Sequence, residues 1–71
     1  MEKVIINGEW RRDNTIKFKA SLCEQEPGQI MRTIKVLDKG ETPALPGDTD
    51  QDVINYFSAI YPGKQIVSKV L

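Results

Sequence analysis

From Val4 to Arg12 the chain alternates, with Val4, Ile6, Gly8 and Trp10 on one parity and Ile5, Asn7, Glu9 and Arg11 on the other. A period of two predicts a strand with one buried face. Asp13-Asn14 tolerates positive φ and suits a tight hairpin turn. Alternation then resumes from Thr15 to Leu22, with Ile16, Phe18, Ala20 and Leu22 set against Thr15, Lys17, Lys19 and Ser21. Glu26-Pro27-Gly28-Gln29 has proline at i+1 and glycine at i+2, as a type II turn requires, and predicts a second hairpin. A third strand is expected over about Ile30 to Leu37. It would carry Ile30, Ile34 and Val36 on one face and Met31, Thr33, Lys35 and Leu37 on the other, with Arg32 interrupting the apolar side.

Asp38 to Gly47 contains Gly40, Pro43, Pro46 and Gly47, residues that break both regular structures, and reads as a connector. A helix is expected to begin at its end, capped by Asp48 or Thr49, with Asp50 and Asp52 where the helix dipole is positive. Val53, Ile54, Phe57, Ile60 and Tyr61 make one apolar stripe, and Pro62-Gly63 stops the helix. Gln65 to Leu71, β-branched at Ile66, Val67 and Val70, reads as a closing strand that uses the last residues structurally. The expected fold class is α+β, a single small domain over residues 1–71. It comprises a three-strand antiparallel meander, one helix and a closing strand (βββαβ), with the helix packed on one sheet face. The closing strand could lie beside the first or the third, because the crossover rule fixes its hand and not its neighbour.

Composition narrows the function classes. With 71 residues there is room for one hydrophobic cluster, and a deep walled active site is not expected. Ten basic and ten acidic side chains balance, so no long-range field favours nucleic acid or anionic membranes. The short apolar runs predict no membrane span and a soluble chain. A lone Cys23 cannot form an intrachain disulfide and points to the reducing cytoplasm. No histidine is present to activate Cys23 or a serine, which excludes Cys-His and Ser-His nucleophiles. Asp48-x-Asp50-x-Asp52 resembles the start of a calcium loop, but Val53 and Ala59 stand where that loop needs glycine and a bidentate glutamate. These acids are expected to serve the helix N-terminus, and neither metal nor cofactor is expected.

One helix covers one sheet face, and the even parity with Trp10 and Phe18 is the richer candidate for it. The other parity then faces solvent and gathers Arg11, Lys17, Lys19 and Lys35 against Glu9, beside the apolar Ile5, Met31 and Leu37. The expected partner-binding face is therefore Ile5, Arg11, Lys17, Lys19, Met31 and Lys35. Whichever strand lies at the sheet edge offers a second route, by strand addition. A protein partner fits this surface better than single-stranded nucleic acid, whose sheet platforms stack bases on exposed aromatics.

The stretch Asp52 to Pro62, DVINYFSAIYP, and the preceding GETPALPGDTDQDV resemble the helix and connector of the short protein C of ParB-related, ThiF-related mobile-element cassettes. The resemblance, over residues 38–62, implies a small bacterial accessory protein with a ubiquitin-like fold, working beside an adenylating ThiF-like partner. The chain ends Val70-Leu71 rather than Gly-Gly, so a conjugated modifier is not implied. The expected function is a non-enzymatic binding or accessory protein that recognises a protein partner through the open face or an edge strand. A weak single-strand nucleic-acid binder and a small phage- or element-encoded inhibitor are the alternatives.

Overall fold

The computed structural model describes residues 2–28, 30 and 32–71. Four strands and one helix follow in the order β1 (Glu2–Trp10), β2 (Ile16–Glu24), β3 (Arg32–Glu41), α1 (Asp50–Ile60) and β4 (Gln65–Val70). They form one mixed sheet in the order β3-β2-β1-β4, a small α+β fold with the expected βββαβ succession. The open question of the last strand is resolved in favour of β1: β4 runs parallel to it, from Lys3 opposite Gln65 to Gly8 opposite Val70. Leu71 continues this pairing, donating from its N–H to Gly8 O at 3.0 Å and accepting from Trp10 N–H at 3.1 Å.

The even parity is the covered one. Val4, Ile6, Ile16, Ala20 and Ile66 meet Val53 and Phe57 of the helix and Leu45 of the connector in one core cluster. Phe57, Ile6, Ile16, Val4 and Val53 are wholly buried. Each such side chain contributes about 1.5–3 kcal/mol of transfer free energy. Phe57 organises the cluster, with Phe18 edge-on at 4.9 Å, Tyr56 edge-on at 5.0 Å and Tyr61 stacked at 6.4 Å. Ile60, expected within the stripe, is instead 47% exposed. The first hairpin closes through Asn14, whose φ of 61° is one that Asn adopts at little cost. The second turn has Gly28 at φ 80°, as its i+2 position requires; Gln29 lies outside the described residues.

Both boundaries of the third strand differ from expectation, while β1 begins earlier, at Glu2, and β2 runs on to Glu24. The third strand begins later and runs on through Asp38 to Glu41, residues read as connector, because they continue to pair along β2 from Ala20 to Lys17. Its register slips twice: Leu37 and Ile34 are extra residues between the pairs Ala20–Asp38, Ser21–Val36, Leu22–Lys35 and Cys23–Thr33. Each bulge moves the following side chains to the opposite face from that given by simple alternation.

The connector then closes one end of the core. Thr42 is buried and pairs with Ile16 through both its backbone N–H and its side-chain Oγ1, each at 3.0 Å. Leu45 is buried beside it. The helix begins at Thr49 with a capping box: Thr49 Oγ1 accepts from Asp52 N–H at 3.3 Å, and Asp52 Oδ2 accepts from Thr49 N–H at 3.1 Å.

Candidate docking face on the open side of the sheet

Residues opposite one another on neighbouring strands share a face, so the register fixes what the side away from α1 presents. Four rows cross it. Glu41, Lys17 and Glu9 form the first, and Lys39, Lys19, Asn7 and Lys69 the second. Val36, Ser21, Ile5 and Val67 form the third, and Thr33, Cys23, Lys3 and Gln65 the fourth. A shallow trough is lined by residues of the first two rows together with Gly8, Phe18 and Gly40, which lie between them along the strands.

The first row is electrically balanced. Lys17 stands between two carboxylates, and Glu41 also meets Arg11, with Nη1 and Oε1 3.7 Å apart. The second row is not balanced. Lys19 and Lys39 are direct cross-strand neighbours, about 5 Å apart at the backbone, and Lys69 lies beyond Asn7. All three are exposed. Among the described residues the ion pairs are Arg11–Glu41 and Lys64–Glu2, so none of these three lysines takes part in one.

The sequence-predicted face is therefore rearranged. Lys17 and Lys19 lie where expected. Arg11 is exposed, but its charge is met by Glu41. Ile5 has the expected parity yet is only 4% exposed, because β1 is a central strand and Ser21 and Val67 flank it on both sides. It offers no contact area to a partner. Lys35 is opposite Leu22, on the helix side, because the bulge at Leu37 reverses its parity. Met31 lies outside the described residues. Lys39 and Lys69 are additions that sequence reasoning missed. Lys39 fell in the expected connector, and the row containing Lys69 exists only once β4 is known to lie beside β1.

Other candidate groups have structural partners. Asp50 accepts from the Ser68 hydroxyl at 2.9 Å, tying the helix start to β4, and Asp52 belongs to the capping box. Among the described residues no three His, Cys, Asp or Glu side chains are grouped to hold a metal ion. Cys23 is buried, its Sγ 3.7 Å from Thr33 Oγ1 and 3.9 Å from Ser21 O. Asp13, exposed in the first turn, has its pKa lowered chiefly by the Thr15 hydroxyl, which donates to Oδ1 at 2.6 Å, and by the Thr15 N–H. Tyr61 has its pKa raised by burial first and by the charge of Asp38 second. No helix among the described residues is long and apolar enough to cross a membrane. Compared with protein families, with curated proteins and with solved structures, the chain matches none.

Proposed function

We propose that this protein is a non-enzymatic binding module that docks an acidic segment of a protein partner on the open face of its sheet. The observation that carries the proposal is the row Lys39–Lys19–Asn7–Lys69, in which two lysines stand directly opposite each other with no ion-pair partner among the described residues. Like charges in that position destabilise a sheet, where an opposite pair would contribute about 0.2–1 kcal/mol. An acidic ligand turns this local repulsion into binding energy, and the neighbouring trough gives an extended segment a place to lie.

The proposal carries a test that separates binding from folding. Lys19→Glu places a carboxylate between Lys39 and Asn7, so the variant gains roughly 0.2–1 kcal/mol of stability while losing affinity for an acidic peptide. Chemical denaturation and peptide titration of the same samples measure both quantities. Reduced stability, or unchanged peptide affinity, would contradict the assignment.

Single-stranded nucleic acid fits less well. Phe18 packs against Phe57 at 4.9 Å on the helix side, and Trp10 packs against the same core, so neither ring serves the open face as a stacking platform. A lone, buried Cys23 supports a reducing compartment such as the cytoplasm for this role. The resemblance over residues 38–62 suggests a more specific setting, with a ThiF-like adenylating protein as the partner. Co-expression of the two, followed by co-purification that Lys19→Glu abolishes, tests that setting.

A further inference from the structure

We infer that the exposed edge of β3 pairs with β3 of a second copy of this chain, joining two sheets into one continuous sheet. The inference does not rest on the docking proposal. β3 is an edge strand of ten residues, and all of its side chains are exposed except Leu37, which is partly buried. Ile34 and Val36 are 50% and 47% exposed, an apolar edge of the kind that invites strand addition.

Charge and register together select the occupant. Arg32 and Lys35 give the first half of the strand its positive charge, while Asp38 and Glu41 outweigh Lys39 in the second, so an antiparallel copy brings the positive half against the acidic one. With the two-fold axis at Val36, Val36 meets its own copy on the open side. Lys35 then faces Asp38 twice on the helix side, where their β2 partners Leu22 and Ala20 place both of them. The extra residue Leu37 of each copy falls between those pairs, one on either side of the axis, and each lies opposite a regular stretch of the other copy, as it does opposite β2. The two-fold axis stands perpendicular to the sheet, so both open faces lie on the same side. The eight strands would span about 35 Å.

The test is the oligomeric state of the whole chain, measured by sedimentation over a concentration series at low salt. The wild type is expected to pass from monomer to dimer. Each substitution at Lys35 or Asp38 alters two symmetric pairs, so Lys35→Glu and Asp38→Lys each weaken association roughly tenfold or more. The double variant Lys35→Glu/Asp38→Lys restores it. Circular dichroism checks the fold of each variant, and Val36→Lys, which puts two like charges on the axis at an exposed position, gives an independent loss. A monomer throughout the series overturns the inference, as does a dimer that Lys35→Glu and Val36→Lys leave unchanged. Lys19→Glu leaves the dimer intact, so failure of the docking proposal and failure of this one are read separately.

Discussion

Replacing Gly8 with alanine probes the closest backbone approach in the sheet. Gly8 is not among the glycines with positive φ, so alanine can adopt its backbone conformation. The obstacle is spatial: a Cβ there would overlap the carbonyl oxygen of Lys17 and stand 3.0 Å from Phe18 Cα. Both are backbone atoms of the paired strand and can yield only if β1 and β2 separate. Overpacking of this kind costs about 1–3 kcal/mol, against which a stiffer unfolded chain returns roughly 0.4–1 kcal/mol. At the middle of both ranges the net loss is about 1.3 kcal/mol, a fall in Tm of roughly 5–10 °C for a chain of this size. Urea titration followed by Trp10 fluorescence measures it. Gly28→Ala is the comparison, since that glycine has φ 80° and open space around it: it meets no steric overlap, and its backbone strain of about 1–2 kcal/mol is reduced by the same unfolded-chain effect. A Gly8→Ala protein as stable as the wild type, or more so, would refute the close approach of β1 to β2.

Three further outcomes follow from the same geometry. Phe57→Ala removes a wholly buried ring with three aromatic neighbours. Its cost of about 3–5 kcal/mol is comparable with the total stability of roughly 4–10 kcal/mol expected for this length, so circular dichroism should show a largely unfolded chain at 37 °C. Thr49→Ala breaks the capping box and costs about 0.5–2 kcal/mol, read as a lower urea midpoint with unchanged slope. Tyr61 ionises above the usual phenol value of 10.0. Its folded-state pKa is raised, so the associated stability is intact below the unfolded pKa and is lost as pH climbs through the folded one. Ultraviolet absorbance of tyrosinate, compared between the wild type and Tyr61→Phe, isolates this step.

Much of the fold was legible because parity is a local property. The even residues of β1 and β2 needed no knowledge of tertiary contacts to be assigned inward, and Thr49 was among the anticipated helix caps. The bulges at Leu37 and Ile34 were not legible, because an unpaired residue is defined by the partner strand and leaves no mark in the sequence of β3. They alone moved Lys35 to the helix side. Gly40 and Asp38 read as breakers, yet an edge strand tolerates both: it pairs on one side only, and glycine can take the φ of 152° found there. Ile5 illustrates the remaining limit. Its parity was correct, but its burial depended on β4 completing the flank of β1. The candidate row of lysines depended on the same strand, since Lys69 joins Lys19 and Lys39 only through that pairing.

The most direct test of the docking face is a two-dimensional amide NMR titration of the chain with a glutamate-rich peptide, run in parallel with an oligonucleotide of equal charge. Shifts should concentrate at Asn7, Lys17, Lys19, Lys39 and Lys69, be stronger for the peptide, and vanish in Lys19→Glu. No shifts at low salt, shifts confined to α1, or an equal response to the oligonucleotide would contradict the proposed role of the open face.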